Sequence, residues 1–462
     1  MLKTLLILFV FLVAVNAETI KVACVGDSIT YGAGVENRES NNWPKKLGEL
    51  LGEKYEVHNF GVNGATMLQK GNHPYWKTAA WKKAQDLKPD IVFIKLGTND
   101  SKMVNWQHSK EFSADYKKMI ADLKGLESMP RIILLVPVPS FVEGKNISTK
   151  RVQKEVIPQV RNIAFDEKLE LVDLYQVFIN RPEEMPDKIH PNAKGAERIA
   201  NHLAEYLKRE LNETNTDISG TPFNFHGYEG INFTLEGGAK AKIVKPKKVN
   251  PEKRWIWRAR FFGHEPQLDI ALLERGFHVA YCEVGGLYGS PKAVERWNQM
   301  YNFLSAKGFH SKPVLEGMSR GGLIIYNWAK ANPDKVSCIY ADAPVCDITS
   351  WPGGKGTGKG SPNNWKEAMA VYGISEADAS SFKGSPIHGL EPLIKAGVPA
   401  IHVCGADDKV VPMSENTDVL AKRFKELGGT IKIISKPGIG HHPHSLPNPE
   451  PIVKFILEKG LK

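Results

Sequence analysis

Cysteine is scarce in this sequence, with five in 462 residues, at positions 24, 282, 338, 346 and 404. So few cysteines exclude a small disulfide-stapled scaffold. Cys24, Cys282 and Cys404 lie in apolar runs typical of buried strands, which predicts buried thiols. Cys338 and Cys346 are close enough to pair in an oxidising compartment, and the sequence leaves that question open. No Cys/His cluster has metal-ligand spacing, so no metal is expected.

The sequence also lacks a block of charge of one sign. It carries 61 Lys and Arg against 51 Asp and Glu, a net charge of +10, and the two signs alternate along the chain. Zinc-finger spacing and RNA-binding aromatic signatures are missing as well. These patterns exclude nucleic acid as the main partner.

Long apolar runs are confined to the first residues. Residues 1–17 combine a basic start, an apolar stretch of about a dozen residues and a small-x-small end, which predicts a signal peptide cleaved near Ala17. The run is too short for a membrane span of about 20 residues. We therefore expect a secreted or periplasmic protein without stable membrane insertion, beginning near Glu18.

The remaining chain alternates strand-like and helix-like runs twice over, which predicts two α/β domains. A polar stretch followed by Gly220-Thr221-Pro222 indicates the boundary. The predicted division is a first domain at 18–212, a linker at 213–222 and a second domain at 223–462. A glycine-rich insert at about 347–395 is typical of a lid or binding loop.

Four motifs in the first domain carry polar residues at or near predicted strand ends: Gly26-Asp27-Ser28-Ile29, the Asn59–Gly64 segment, Gly97-Thr98-Asn99-Asp100, and Asp187-Lys188-Ile189-His190-Pro191. Open α/β sheets bind ligands at the carboxyl ends of their strands. A serine nucleophile needs an adjacent base, and that base needs a carboxylate to orient it. Ser28, His190 and Asp187 suit these roles. The backbone amides of Ser28 and Gly64 and the side-chain amide of Asn99 suit an oxyanion hole.

At these residues the stretch from Lys21 to Leu211 resembles the SGNH (GDSL-type) hydrolases. The resemblance implies a flavodoxin-like three-layer sandwich with esterase or deacetylase activity. It also implies Ser28, Gly64, Asn99 and His190 as the named family positions, with Asp187 completing the triad.

The second domain contains a G-x-S-x-G turn between a strand and a helix, Gly317-Met318-Ser319-Arg320-Gly321. Later strands end in Asp407-Asp408 and in His441-His442, so the order is Ser, Asp, His. That order resembles the α/β-hydrolase superfamily, over about 223–462.

This resemblance implies Ser319 as nucleophile, Asp408 as acid and His441 as base. Asp407 and His442 remain alternatives, and His444 is expected to line the pocket or face solvent. The Arg320 amide is the expected oxyanion donor, with a second donor within Arg258–Gly263.

Other side chains near the second motif have two interpretations each. The guanidinium groups of Arg258, Arg260 and Arg320 either contact an anionic or hydroxyl-rich substrate or form internal ion pairs. Aromatic residues of the insert (Trp351, Trp365 and Tyr372) either form a sugar-stacking platform or pack inside a cap.

The sequence thus combines one predicted signal peptide with two sets of Ser, His and Asp residues, one in each domain. This arrangement resembles tandem carbohydrate esterases. The expected substrate is an acylated polysaccharide or glycan, hydrolysed in each domain through an acyl-enzyme without a metal or organic cofactor. The alternatives are a lipase or lysophospholipase, and one catalytic domain beside a non-catalytic glycan-binding module.

Overall fold

The structure is a computed structural model that describes residues 19–142, 146–213 and 217–461. The predicted signal peptide therefore lies outside the described residues. Within them, no helix has both the length and the apolar character needed to cross a bilayer.

Five parallel strands form the first sheet, in the order β2-β1-β3-β4-β5. The strands are β1 (Ile20–Gly26), β2 (Tyr55–Gly61), β3 (Ile91–Lys95), β4 (Arg131–Val136) and β5 (Glu170–Asp173). β1 alternates its side chains between two cores, Ala23 and Val25 on one face and Val22 and Cys24 on the other. Burial on both faces explains the continuous apolar runs of the sequence.

Helices cover both faces of this sheet. They are α1 (Ser28–Tyr31), α2 (Arg38–Asn41), α3 (Trp43–Leu51), α4 (Ala79–Asp86), α5 (Met103–Trp106), α6 (Phe112–Lys124), α7 (Thr149–Arg151), α8 (Ile157–Asp166), α9 (Leu174–Phe178) and α10 (Ala193–Lys208). α4, α6 and α8 bury apolar residues in one core, and α3 and α10 in the other. α10 buries Ile199, Ala200 and Leu203, a helical spacing that makes one apolar stripe. The predicted three-layer sandwich is confirmed.

The second sheet has nine strands in the order β16-β15-β14-β13-β11-β12-β9-β8-β7. They are β7 (Thr221–Phe225), β8 (Tyr228–Thr234), β9 (Lys240–Val244), β11 (Trp255–Ala259), β12 (His278–Cys282), β13 (Val314–Met318), β14 (Cys338–Asp342), β15 (Ala400–Gly405) and β16 (Ile431–Lys436). From β12 to β16 the neighbours are parallel, whereas β7, β8 and β9 pair antiparallel at one edge. A separate two-stranded ribbon joins β6 (Asn212–Glu213) to β10 (Lys248–Val249).

Helices also cover both faces of the second sheet. They are α11 (Gln267–Leu273), α12 (Pro291–Ala306), α13 (Gly321–Ala331), α14 (Pro362–Tyr372), α15 (Glu391–Lys395), α16 (Thr417–Glu426) and α17 (Glu450–Phe455). α12, α13 and α16 share one core, and α11 and α17 another. This mixed sheet with an antiparallel edge is the predicted α/β-hydrolase fold.

β11 ends at Ala259, because Arg260 and Phe261 have φ angles of 63° and 46°. A left-handed backbone cannot continue a strand ladder. β7 begins at Thr221, inside the predicted linker.

Glu274, at the end of α11, connects the two halves. Its Oε1 accepts a hydrogen bond of 2.5 Å from the backbone amide of Asp173, and its Oε2 lies 3.3 Å from His202 Nε2. Arg209 donates to the Glu274 backbone carbonyl at 3.1 Å. Burial acts to raise the pKa of Glu274, but His202 and the Asp173 amide outweigh it and lower the pKa.

All five cysteines are buried and free in the described part of the chain. Cys338 and Cys346 therefore do not form the disulfide that their spacing left open.

Candidate active sites

Ser28 begins α1 directly after β1. The preceding Asp27 caps this helix by accepting a hydrogen bond of 3.0 Å from the Ile29 amide. Asp27 also forms an ion pair of 2.9 Å with Lys95, and both side chains are fully buried. Burial lowers the pKa of Lys95, although Asp27 opposes the shift. This pair fixes the turn that carries the serine, and nothing in the local sequence pattern predicted Lys95 as the partner.

His190 and Asp187 reach Ser28 from the loop before α10. The Ser28 hydroxyl lies 2.8 Å from His190 Nε2, and His190 Nδ1 lies 2.6 Å from Asp187 Oδ2. The other Asp187 oxygen accepts from the backbone amides of Ile189 and His190. Burial acts to raise the pKa of Asp187, but these hydrogen bonds outweigh it and lower the pKa. The carboxylate therefore stays ionised beside the imidazole.

The predicted oxyanion donors lie at the same cleft. A cavity of about 650 Å³ is lined by Ser28, Gly64, Asn99 and His190, among others. Gly64 has a φ of 73°, a left-handed conformation that favours glycine. Asn99 is held by donating to the Ala65 carbonyl at 3.1 Å, so its side chain is fixed between two strand ends.

Asp100 is a positioning residue that had no predicted role of its own. Its buried carboxylate accepts hydrogen bonds from the amides of Met67 at 3.0 Å and Leu68 at 2.8 Å. It thereby joins the loop that follows Gly64 to the turn that carries Asn99. Burial raises the pKa of Asp100 to about 7. The one sequence feature that could have indicated this role is its position next to Asn99.

Ser319 occupies a strained turn between β13 and α13. Its φ is 50°, in the left-handed region that costs a non-glycine residue energy. A Cβ on Gly317 would lie 2.7 Å from the Gly321 carbonyl oxygen, and one on Gly321 would lie 2.7 Å from the Ala259 oxygen. Both glycines are therefore required for this turn, which has the form of a nucleophile elbow.

His441 and Asp408 meet Ser319 at the carboxyl ends of β16 and β15. His441 Nε2 lies 3.0 Å from the Ser319 hydroxyl, and His441 Nδ1 lies 2.6 Å from Asp408 Oδ2. Burial acts to raise the pKa of Asp408, but His441 and the backbone amides of Val410 and Val411 outweigh it and lower the pKa. The three donors to this carboxylate are thus supplied by its own loop and by the loop that follows β16.

The alternative residues occupy other positions. Asp407 and His442 are exposed, whereas Asp408 is buried. His444, which was expected at the pocket or in solvent, is 3% exposed and its Nδ1 lies 2.7 Å from the buried Asp342. The structure thus brings Asp408 and His441 together with Ser319. It also brings the imidazoles of His441, His442 and His444 close together, although their sequence spacing indicated no metal site.

The three arginines near Ser319 differ in environment. Arg258 is buried and forms ion pairs with Asp269 at 2.5 Å and Glu316 at 3.1 Å, so it is structural. The Arg320 guanidinium lies 5.5 Å from the Trp351 ring and 6.0 Å from the Phe261 ring. Burial and the nearby Arg260 lower the pKa of Arg320. Arg260 and Arg320 therefore both lie near the Phe261 ring, and Arg260 also forms an ion pair of 3.6 Å with Glu283.

The aromatic residues of the insert do not form an open platform. Trp351 and Trp365 are 9% and 7% exposed and pack with Tyr288 and Leu323. Tyr372 donates a hydrogen bond of 2.7 Å to the Tyr288 carbonyl. These side chains build a cap beside the elbow, which matches the core-packing interpretation.

The two sites differ in exposure. In the first, the His190 and Asp187 side chains are 21% and 52% exposed, whereas in the second those of His441 and Asp408 are 9% and 1% exposed. Each arrangement provides a hydroxyl, an imidazole and a carboxylate in sequence, which is the requirement for nucleophilic acyl transfer.

The first half of the chain is similar to a known protein family. Residues 24–198 match the model of the GDSL-like Lipase/Acylhydrolase family. The first half therefore contains a GDSL-like hydrolase domain, as its motifs predicted.

Two curated relatives are similar over part of the chain. An acetylxylan esterase of Xylanibacter ruminicola is 40% identical over 213 residues, covering 42% of this chain and 44% of the relative. A multidomain esterase of Ruminococcus flavefaciens is 24% identical over 234 residues, covering 42% of this chain and 29% of the relative. The chain thus spans less than half the length of the curated relatives it matches.

Among solved structures, an acylaminoacyl peptidase of Pyrococcus horikoshii is 15% identical and has a TM-score of 0.41. The match covers 51% of this chain and 42% of that one.

Proposed function

We propose that this protein is an exported two-domain serine esterase that removes acetyl or other acyl groups from a polysaccharide or glycan. The observation that carries the proposal is the pair of Ser–His–Asp arrangements, with serine-to-imidazole distances of 2.8 Å and 3.0 Å. The similarity to an acetylxylan esterase and a multidomain esterase supports the chemical class.

In each site the serine oxygen attacks the ester carbonyl while the imidazole Nε2 takes its proton. The aspartate holds the imidazole in the required tautomer and stabilises the imidazolium. Backbone amides stabilise the oxyanion, from Ser28 and Gly64 in the first site and from Arg320 in the second, and Asn99 adds a side-chain donor. The imidazolium gives its proton to the sugar oxygen, which leaves as a hydroxyl group. The imidazole then takes a proton from water, which attacks the acyl-enzyme and releases the acid and the free serine.

The second site has features that suit a substrate rich in hydroxyl or anionic groups. Arg260 and Arg320 are cationic, and Phe261 between them is 36% exposed. A sugar can stack its apolar face on an exposed aromatic ring. The hydroxyl groups of the sugar can then accept hydrogen bonds from neighbouring guanidinium groups. The first site instead has Met103 and Val104 exposed at the rim of its cleft.

The decisive experiment uses the single variants Ser28→Ala and Ser319→Ala and the double variant. Each is assayed on acetylated xylan and on a chromogenic acetate, and a fluorophosphonate probe locates the reactive serines by peptide mass. We expect each single variant to lose one labelled peptide and part of the activity, and the double variant to lose both.

Full activity in the double variant would refute the proposal. Labelling of only one serine would instead assign the other half to glycan binding. A preference for long-chain esters over acetate would favour a lipase or lysophospholipase.

A further inference from the structure

Three histidines beside the second serine form a cluster that the proposed ester chemistry uses only in part. His441, His442 and His444 each offer a ring nitrogen, and these three atoms lie within 4.8 Å of one another. Their ring centroids are 5.1, 4.8 and 4.7 Å apart. Only His441 contacts Ser319, so the other two imidazoles need a separate explanation.

Buried carboxylates orient two of these rings in the same way. His441 Nδ1 lies 2.6 Å from Asp408, and His444 Nδ1 lies 2.7 Å from Asp342. Neither carboxylate therefore occupies the Nε2 atom of its imidazole, and in His441 that atom contacts the Ser319 hydroxyl. A carboxylate on one nitrogen of the ring is the usual partner of a histidine that binds a metal through the other.

The Asp342 carboxylate is held by groups other than the Ser319 side chain, although the Asp342 backbone carbonyl accepts a hydrogen bond of 2.8 Å from the Ser319 amide. It is fully buried and accepts hydrogen bonds from the Tyr340 hydroxyl at 3.0 Å and the Ser445 amide at 2.8 Å. Acyl transfer at Ser319 requires only one carboxylate–imidazole pair. The second pair, Asp342 and His444, is therefore surplus to that chemistry.

His442 completes the cluster on its solvent side. Its side chain is exposed, so a solute can reach the cluster.

We propose that His441, His442 and His444 bind one divalent transition-metal ion of the Zn²⁺ class, and that binding switches off the second site. Three imidazoles with one open position suit tetrahedral zinc. Tetrahedral Zn–N bonds of about 2.0–2.1 Å place the nitrogens about 3.4 Å apart. The three ring nitrogens, which lie within 4.8 Å of one another, must therefore move closer together when the metal binds. The metal takes the lone pair of His441 Nε2, and the hydrogen bond from the Ser319 hydroxyl to that atom breaks. The inhibition, though not the binding, rests on the proposed function of His441.

Binding is tested without any activity measurement, by titrating the full-length protein with Co²⁺ and recording its visible absorption. We expect intense bands typical of tetrahedral cobalt that saturate at one equivalent and disappear when Zn²⁺ is added. His442→Gln and His444→Gln should each weaken binding at least tenfold. The control His310→Gln changes a histidine on another loop and should leave the titration unchanged. Absence of the bands, or wild-type titrations in both cluster variants, would overturn the proposal.

Inhibition is tested on the Ser28→Ala variant, in which remaining ester hydrolysis reports Ser319. One equivalent of Zn²⁺ should lower this rate at least tenfold, EDTA should restore it, and adding His442→Gln should raise the zinc concentration needed at least tenfold. Saturated cobalt bands with an undiminished rate would overturn the switch and count against His441 as the base. A Ser28→Ala variant inactive before zinc is added would contradict the proposed second site, while the cobalt titration would still decide binding.

Discussion

The two candidate nucleophiles are presented by different backbone conformations. Ser28 is the first residue of a helix, whereas Ser319 has a φ of 50°. In both cases the side chain stands at the carboxyl end of a parallel strand and meets an imidazole carried by a distant loop. The shared chemistry is therefore a property of sheet-edge position and not of one local turn.

Adjacent aspartates allow a matched test of the second site. Asp408→Asn should lower kcat of the Ser319 site by about 10,000-fold, because the asparagine amide favours the wrong imidazole tautomer. The exposed neighbour gives the control, and Asp407→Asn should stay within about twofold of wild type. Steady-state kinetics in the Ser28→Ala background measure both. Equal losses in the two variants would contradict the assignment of the acid.

The oxyanion donor of the first site has its own kinetic signature. Asn99→Ala should lower kcat by about 100-fold to 1,000-fold and change KM little, because the donor acts on charge that develops in the transition state. Kinetics in the Ser319→Ala background isolate this site. A variant whose KM rises at constant kcat would show instead that Asn99 serves ground-state binding.

At the level of elements, motifs predicted which residues lie at strand ends, but they did not predict the buried contacts between strands. The two α/β domains followed from alternating apolar runs, and the three-layer sandwich followed from the family resemblance. The candidate serines, imidazoles and carboxylates followed from motifs near strand ends. The buried partners Lys95 and Asp342 could not be predicted, because each depends on which strands become neighbours. The bend after Ala259 has no local sequence signal, because neither position 260 nor position 261 is a glycine or a proline.

The elbow between β13 and α13 makes a stability prediction. Gly321→Ala would place a methyl group 2.7 Å from the Ala259 backbone oxygen, which cannot move without shifting β11. We expect a loss of about 1–3 kcal/mol in the free energy of unfolding and a lower fraction of titratable Ser319. Gly286→Ala is the control, since a Cβ there meets nothing within 4 Å. Thermal denaturation and active-site titration compare the two, and equal behaviour would refute the close approach.

On the scale of the whole molecule, buried neutral histidines set its response to acid. His402 is fully buried between Tyr326 and Thr417, and burial lowers its pKa to about 3. The unfolded chain takes up the proton near pH 6.5 and the folded chain does not. Between these values stability therefore falls as pH falls.

This coupling can be measured with a variant that does not titrate. His402 should account for about 2 kcal/mol of the stability lost between pH 7 and pH 5. Denaturant unfolding of His402→Gln should therefore show a smaller difference between the two pH values than wild type. The half-buried His310 gives the control, and His310→Gln should retain the wild-type difference. An unchanged difference in His402→Gln would contradict the prediction.

The Glu274 bridge has an evolutionary consequence. Its carboxylate belongs to the second half, but its partners, the Asp173 amide and the His202 imidazole, belong to the first. A recombination event that exchanged one half for an unrelated domain would leave a buried anion without these partners. The two halves are therefore expected to be inherited together. Exchange of one half between homologues should give a stable protein only when Glu274 and its partners in the other half are both retained.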